Sequence, residues 1–237
     1  KLNKEFLRQG DVATLSINAT NFFGPPASNR KYETEIQVKQ KNFSAKKFED
    51  YNFSLANQSS FFDKVVKEGT TDAAGNATVE YTVPDTYANM GALQTNFYTT
   101  VFDETGRPVS RGTSVDIFTQ DVFFGIKQDW FYYYPLNQQV KFSLAAVNKD
   151  GNGVSATALV QVIKHEYRTV LTKSGNYFRY VSQKEDKMMI EQDLTVGTNT
   201  VYSFVPRSPG DYEVRIYRPG ANNYVSRSFY SYGSWGA

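Results

Sequence analysis

Short stretches in which apolar and polar residues alternate recur along the whole chain. Val12 to Ile17 and Tyr32 to Val38 show the pattern in the first half, and Val140 to Val147 and Tyr212 to Tyr217 show it in the second. Alternation with a period of two places the apolar side chains on one face of a β-strand, and turn residues close each run. Long stretches with a helical period are nearly absent. The pattern therefore predicts an all-β chain.

The two halves of the chain repeat the same order of strands and turns. The run Ala77 to Pro84 corresponds to Asn199 to Pro206, and both runs end in proline. Farther on, Val101 to Phe118 corresponds to Ile216 to Tyr232. A repeat of roughly 120 residues has the size of a domain, so we expect two tandem antiparallel β-sandwiches of the immunoglobulin or fibronectin III type. The predicted domains are residues 1–120 and 121–237.

The stretch from Phe43 to Lys67 interrupts the alternation. Its Phe and Tyr residues stand at irregular spacing among Lys, Asp, Asn and Ser. A binding loop is one interpretation, but aromatic side chains more often hold a long loop against the body of a domain. We predict the second arrangement, with a turn or two of helix allowed.

Composition and charge narrow the class of protein. The net charge of +2 comes from 26 basic and 24 acidic residues spread along the chain, so no large field would attract nucleic acid or an acidic membrane. The chain has no Cys, which excludes disulfides and thiolate chemistry within it. Neither a signal peptide nor an apolar run long enough to span a membrane is present. We therefore expect no contact of this chain with nucleic acid or membrane.

Both ends of the sequence look like truncation points within a longer protein. The chain opens on Lys1 without an initiator Met and stops at Ala237 after a short Gly, Ser and Trp sequence. We expect a piece taken from inside a larger protein.

The residues that could carry chemistry fit structural roles better. The single histidine, His165, would need a second His four residues later to form a zinc motif, and Thr169 stands there. We interpret His165 as an ordinary strand residue. Asn148 to Gly153 imitates the first half of a calcium loop, but Leu159 occupies the place of the bidentate Glu, so a Gly-rich hairpin or connecting turn is favoured. The sequence predicts no enzyme, no catalytic residue, no metal site and no cofactor.

An aromatic cluster spans Trp130 to Pro135, and a second closes the chain from Tyr230 to Trp235. Flat rings with polar tips suit the stacking of a sugar, but the first cluster could equally be the entry strand of the second sandwich. We favour the entry strand, because Pro135 and Leu136 lead directly into the alternating run that begins at Val140.

Five sequence segments, spread over both halves, together indicate a resemblance to a known family. They are Phe22 to Ala27, Thr71 to Gly75, Val101 to Val109, Val205 to Val214 and Tyr224 to Tyr230. Together they resemble the macroglobulin (MG) domains of bacterial alpha-2-macroglobulin family proteins. The resemblance implies seven-stranded antiparallel sandwiches, related in shape to fibronectin type III, that are linked into a scaffold.

The activity that this resemblance implies is inhibition of proteases by entrapment. A protease cuts an exposed bait segment elsewhere in the full protein, the scaffold collapses around it, and in many members a thioester made from Cys and Gln then bonds to it. The present chain has no Cys and no clear bait segment. What the resemblance carries over is structural, namely glycines at turns and prolines that end strands. These residues are Gly24, Gly75, Gly106, Gly210, Gly220, Pro84 and Pro206.

Two functions are therefore expected, in order of preference. The first is a pair of non-catalytic scaffold domains of a protease inhibitor, with neighbouring domains of the parent chain as partners and target proteases reached through the full-length parent. Bacterial proteins of this kind are typically exported and often lipid-anchored in the periplasm. The second is a carbohydrate-binding or adhesive module pair of a cell-surface protein, which would use exposed Tyr and Trp as platforms.

Overall fold

The computed structural model describes residues 1–58, 60–128 and 131–233 of the chain. These residues form fifteen β-strands and two short 3₁₀ helices, Lys46–Phe48 and Asp85–Tyr87. Among them, no helix is long and apolar enough to cross a membrane. The all-β prediction is confirmed.

The strands follow each other at short intervals, as the alternating runs predict. The first seven are β1 (Phe6–Arg8), β2 (Val12–Asn18), β3 (Lys31–Lys41), β4 (Phe62–Thr70), β5 (Asn76–Thr82), β6 (Ala92–Phe102) and β7 (Pro108–Phe118). The other eight are β8 (Val122–Gln128), β9 (Tyr133–Pro135), β10 (Val140–Asn148), β11 (Ala156–Ser174), β12 (Tyr177–Val196), β13 (Thr200–Phe204), β14 (Gly210–Tyr217) and β15 (Tyr224–Tyr232).

The chain divides into two compact units, and each is a β-sandwich. The first unit contains Lys1–Phe43 and Gln58–Asp121, and the second contains Ser44–Asn57 and Val122–Ala237. These ranges differ from the predicted domains in one main respect, because residues 44–57 pack with the second unit. We call residues 44–57 the inserted segment.

In the first unit, a five-stranded sheet of order β1-β7-β6-β3-β4 faces the two-stranded sheet β2-β5. Apolar residues from both sheets fill the space between them, among them Leu15, Ile36, Tyr81 and Phe97. The strand pairs are antiparallel, with the exception of β1 and β7, which are parallel. The alternation in β2 and β3 reflects this arrangement, since every second side chain enters the core.

The second unit repeats this plan with one more strand. A three-stranded sheet of order β13-β10-β8 faces a five-stranded sheet of order β12-β11-β14-β15-β9. Its core includes Phe142, Leu144, Tyr212 and Phe229, of which Tyr212 and Phe229 stack with ring centroids 5.3 Å apart. A parallel pair occurs at the equivalent place, between β9 and β15.

Three turns between consecutive strands are built in the same way. In each, the side chain of Asp72, Asp103 or Asn148 accepts hydrogen bonds from the backbone N–H groups two and four residues later, at 2.8 to 3.0 Å. A glycine with positive φ stands three residues after each of them. Such local bonds favour a turn over a continued strand. The calcium-like stretch Asn148 to Gly153 is one of these turns.

The irregular stretch Phe43 to Lys67 is partly loop and partly strand. Its first part contains the 3₁₀ helix Lys46–Phe48, as the prediction allowed, but its last part is not loop, because β4 begins at Phe62. β4 is an edge strand that is exposed along most of its length, so its residues alternate only weakly. This exposure explains why the strand was missed.

Candidate functional site

The inserted segment joins the second sandwich by backbone pairing. The N–H and C=O of Asn52 exchange hydrogen bonds with the C=O and N–H of Ile126 in β8, both at 3.0 Å. Four residues later, the N–H of Ala56 donates to the C=O of Tyr224 in β15, at 2.8 Å. The segment therefore extends between the edges of the two sheets of this unit.

One aromatic side chain of the inserted segment is buried like a core residue. Phe53 is only 5% exposed, and its ring lies against the backbone of Gly125. A Cβ atom at residue 125 would lie 2.7 Å from Cε1 of Phe53, so only glycine fits there without a shift. At the periphery, Lys127 pairs with Asp50 at 2.9 Å. The prediction that aromatic residues hold this loop is therefore consistent with the structure.

A second feature is a long hairpin formed by β11 and β12, which continues far beyond the sandwich. β14 pairs with β11 only between Leu159 and His165, and no other described strand pairs with the hairpin beyond that point. We call residues 166–187 the ribbon. Tyr177, Phe178 and Tyr180 near its tip are 81%, 65% and 77% exposed.

The strand register divides the ribbon side chains between two faces. One face presents Tyr167, Leu171, Phe178 and Tyr180, and Leu171 lies directly opposite Tyr180. Residues 167–184 contain two Arg and two Lys but neither Asp nor Glu. Between Tyr167 and Lys184 the ribbon is thus exposed, aromatic and cationic. Exposed apolar groups of this kind are typical of surfaces that contact another molecule.

A cluster of charged groups ties the base of the ribbon to the sheet. His165 in β11 lies between two carboxylates, with Nδ1 2.7 Å from Asp186 and Nε2 3.0 Å from Glu213. Arg215 in β14 donates to both carboxylates, at 3.2 Å to Asp186 and 2.9 Å to Glu213. The guanidinium also lies over the ring of Tyr224, 4.8 Å from its centroid. The cluster therefore links β11, β12 and β14.

The acidic members of this cluster favour their charged forms. Burial acts to raise the pKa of Glu213, but the hydrogen bond and charge of Arg215 outweigh it and lower the pKa below its ordinary value. The pKa of Asp186 is lowered in the same way, since the bonds from His165 and Arg215 outweigh its burial. The described residues contain no group of three or more His, Cys, Asp or Glu side chains suited to a metal. The geometry fits structural cross-linking.

The glycines carried over from the resemblance are scattered over separate connections and form no common site. Gly24 lies in the β2–β3 connection, Gly75 in the β4–β5 connection, Gly106 in the β6–β7 hairpin turn and Gly220 between β14 and β15, all with positive φ. At Gly75 a Cβ atom would also clash with the backbone oxygen of Ala19. Gly210 is different, because it is the first residue of β14, with a φ of 143°.

The prolines and the aromatic cluster also have defined places. Pro84 follows β5 and precedes the 3₁₀ helix Asp85–Tyr87, and Pro206 follows β13. Tyr133–Pro135 of the aromatic cluster is strand β9, as expected for an entry strand, whereas Trp130 and Trp235 lie outside the described residues. His165 is a strand residue, as predicted, but its ring is engaged in the charged cluster and only 8% exposed.

Sequence reasoning missed the ribbon and the role of Arg215. A signal for the ribbon was present, because Ser174-Gly175-Asn176 is flanked by Val, Thr, Tyr and Phe, which is typical of a tight hairpin. No comparable signal exists for Arg215, since its partners come from strands distant in sequence.

Comparison with known families gives two matches in tandem. The model described as "Bacterial Alpha-2-macroglobulin MG5 domain" matches residues 1–118, and the one described as "Bacterial macroglobulin domain 6" matches residues 125–233. The two matches leave only a short interval between them, and this interval includes the junction of the two units at residues 121 and 122.

Curated relatives agree with these matches. The chain is 29% identical over 203 residues to an alpha-2-macroglobulin homolog of Yersinia pestis, a match that covers 83% of this chain and 10% of the relative. It is 23% identical over 208 residues to an alpha-2-macroglobulin of Rickettsia conorii, covering 85% of this chain and 11% of the relative. The chain thus spans about a tenth of the length of these relatives.

Solved structures show the same fold. Trypsin-activated alpha-2-macroglobulin from Escherichia coli matches with a TM-score of 0.64 at 19% identity, over 99% of this chain and 16% of that one. Salmonella alpha-2-macroglobulin reacted with methylamine matches with a TM-score of 0.63 at 17% identity, over 98% of this chain and 16% of that one.

Proposed function

Because the chain belongs to the bacterial alpha-2-macroglobulin family, as two macroglobulin domains, we propose that it is a non-catalytic scaffold within a protein that inhibits proteases by trapping them. The observation that carries this proposal is the order of the matches, with domain 5 directly followed by domain 6. A tandem of this kind indicates a segment from the interior of the family's domain series.

The packing of each unit supports a mechanical role. Each sandwich has its own apolar core, and the inserted segment adds Phe53 and backbone pairing to the second one. Close-packed interiors resist continuous deformation, so movement in a trap concentrates at connections between domains. In this role the sandwiches keep their shape while the parent protein changes conformation.

The partners and location follow from the same proposal. The direct partners are neighbouring domains of the parent chain, and target proteases are met only through the full-length protein. The parent is exported to the periplasm or cell envelope, where it would meet foreign proteases, and a lipid anchor on the parent would hold it there.

The test uses the full-length parent protein and trypsin. Trapping predicts that trypsin loses most of its activity on a large protein substrate after mixing, while it still cleaves a small chromogenic peptide. A parent carrying Phe53→Ala should trap less well, because its second sandwich is weakened, and one carrying Phe62→Ala, at an exposed position of β4, should trap normally. Unchanged digestion of the large substrate by trypsin mixed with the wild-type parent would refute the proposal.

Carbohydrate binding remains the second candidate, and exposed aromatic residues are the observation in its favour. Phe131 and Tyr133 are exposed, yet the rings of Tyr132 and Tyr133 meet edge to face at 86° and do not make one flat platform. A glycan array with the purified chain separates the two functions. Specific retention of a sugar that is lost in Tyr133→Ala would support this alternative.

A further inference from the structure

The two sandwiches differ at the edge of their smaller sheet. In the second unit, β8 pairs with β10 from Phe142 to Asn148 and forms the third strand of that sheet. This pairing places Phe124 and Ile126 in the core, 5% and 0% exposed. Among the described residues of the first unit, the equivalent sheet consists of β2 and β5. The first unit therefore lacks most of one strand that the second unit has.

The start of that missing strand is visible beside β2. Lys1 and Ser16 exchange two backbone hydrogen bonds, from the nitrogen of Lys1 to the oxygen of Ser16 at 2.7 Å and in the reverse direction at 2.8 Å. Leu2 lies opposite Leu15 in an antiparallel bridge and packs against the core. In the second unit, Ile126 stands opposite the buried Leu144 in the same way. The residues around Lys1 thus pair with β2 as β8 pairs with β10.

A groove of about 1000 Å³ lies where the rest of this strand would be. It begins at Lys1 and follows the edge of β2 along Ile17 and Asn18. Phe97 and Val101 of β6 lie on its floor. Both side chains are on the face of the sheet that packs into the core of the first unit. Phe22 and Phe23 on its rim are 97% and 91% exposed. An apolar groove with two exposed Phe rings is costly to leave open to water.

We propose that this groove holds a β-strand formed by the residues that immediately precede Lys1 in the full-length protein. The strand continues antiparallel to β2 past Ser16, and it directs a large apolar side chain into the groove opposite Ile17, as Phe124 does opposite Ala146 in the second unit. This proposal rests on the proposed function in one respect, namely that the chain is part of a longer protein. The small share of its relatives that the chain covers, 10% and 11%, agrees with this.

The register makes the proposal specific to single residues. Because Leu2 is opposite Leu15, the residue before Lys1 would be opposite Ile17. Lys1 and Ser16 form a hydrogen-bonded pair, so the next pair is a non-hydrogen-bonded one, with Cα atoms about 4.5 Å apart. This distance lies within the range of a disulfide bond. One residue farther along, the N–H of Asn18 would point toward the new strand.

The first experiment introduces a cysteine pair into the full-length parent. Cys at the residue before Lys1 together with Ile17→Cys should form a disulfide under mild oxidation, detected by mass spectrometry of the linked peptides. The control pair replaces Ile17→Cys by Asn18→Cys, whose side chain lies on the opposite face of β2. We expect at least tenfold more linkage at residue 17 than at residue 18. Equal or reversed yields would overturn the proposal.

The second experiment needs no substitution and measures hydrogen exchange. In the full-length parent, the amide of Asn18 should exchange at least tenfold more slowly than in the 237-residue chain, because the added strand would accept its hydrogen bond. The amide of Lys141, on the equivalent strand β10 of the second unit, serves as the reference and should not change. Equal exchange of Asn18 in both proteins would contradict the added strand.

These outcomes are independent of protease trapping. A parent that traps trypsin but forms no linkage at residue 17 would refute the strand and leave the scaffold function intact. A parent that links residue 17 but does not trap trypsin would support the strand and refute the scaffold function.

Discussion

One connection takes opposite forms in the two sandwiches, namely β3 to β4 in the first unit and its equivalent by sheet position, β11 to β12, in the second. In the first unit, β3 ends at Lys41 and β4 begins at Phe62, and the chain between them includes the inserted segment. In the second unit, only Gly175 and Asn176 separate β11 from β12, and the strands themselves are extended into the ribbon. One connection is packed and irregular, whereas the other is regular and exposed.

Strand regularity and burial are therefore separate properties in this fold. The inserted segment lacks a continuous ladder but buries Phe53 against Gly125. The ribbon has a continuous ladder from His165 to the turn but exposes both of its faces. A two-stranded hairpin is only marginally stable in water without other support. The ribbon therefore depends on its base, where the charged cluster holds it to β14.

The largest effect should come from truncating the buried ring of the inserted segment. Phe53→Ala removes a buried aromatic side chain and leaves a cavity, so the free energy of unfolding of the second unit should fall by about 3 kcal/mol. Urea unfolding of the chain measures this change. The matched control on the ribbon, Phe178→Ala, should change the free energy by less than about 0.5 kcal/mol. Similar effects at both positions would show that the ribbon is packed too.

A somewhat smaller effect should follow when a methyl group is added beneath that ring. In Gly125→Ala the new Cβ would lie 2.7 Å from the Phe53 ring, and the shift this forces should cost about 2 kcal/mol. Gly112→Ala is the control, because its Cβ would meet Tyr98 at 3.4 Å, close to an ordinary contact. Thermal unfolding of both variants checks the prediction, and a stable Gly125→Ala variant would contradict the close packing.

The base of the ribbon should show a moderate effect that depends on pH. Arg215→Met leaves Glu213 and Asp186 without their shared cation and should cost about 1 kcal/mol at neutral pH, less than a fully buried pair because Asp186 is partly exposed. The pKa of Glu213 in the folded protein is below its ordinary value of 4.5, so this stabilisation is complete above pH 4.5 and is lost as the pH falls through the lower folded pKa.

Urea unfolding near neutral pH and in acid checks this prediction. The difference in stability between the wild type and Arg215→Met should be largest near neutral pH and should narrow as Glu213 becomes protonated. Arg168→Met, which breaks an exposed pair with Glu185, is the control and should have little effect at either pH. A difference that widens in acid would contradict the role given to Arg215.

The smallest effect is expected for the exposed pair on the ribbon. Leu171 and Tyr180 are directly opposite each other and both are exposed, so replacing both by Thr should change the free energy of unfolding by less than about 0.5 kcal/mol. Threonine keeps the preference for strand structure, which isolates the effect of the lost apolar surface. A loss well above this value would indicate that the ribbon packs against part of the same chain.

Sequence patterns predicted the elements that bury one face. β2 and β3 alternate clearly, because every second side chain enters the core and the others are more exposed. Alternation did not predict the ribbon, because both of its faces are solvated and neither face requires apolar residues. It did not predict the edge strand β4 for a similar reason.

The domain division shows the same limit. The internal repeat predicted two sandwiches, but nothing in the sequence indicated that residues 44–57 would pack with the second one. The packing of this segment depends on Gly125 and on the backbone groups of Ile126 that bond to Asn52. Both residues lie far along the chain from the segment. Aromatic residues in a loop indicate that their side chains will be buried, but they do not identify the surface against which they pack.

The amino-acid sequence was enough to predict the all-β class, the two-domain repeat, the family resemblance and the turns at Gly75, Gly106 and Asn148, because these depend on local patterns along the chain. The assembled strands were needed to reveal the partner of the inserted segment, the pairing of Arg215 with Glu213 and Asp186, and the groove beside β2. Those features join residues distant along the chain, and their energies depend on which surfaces meet once the strands are assembled.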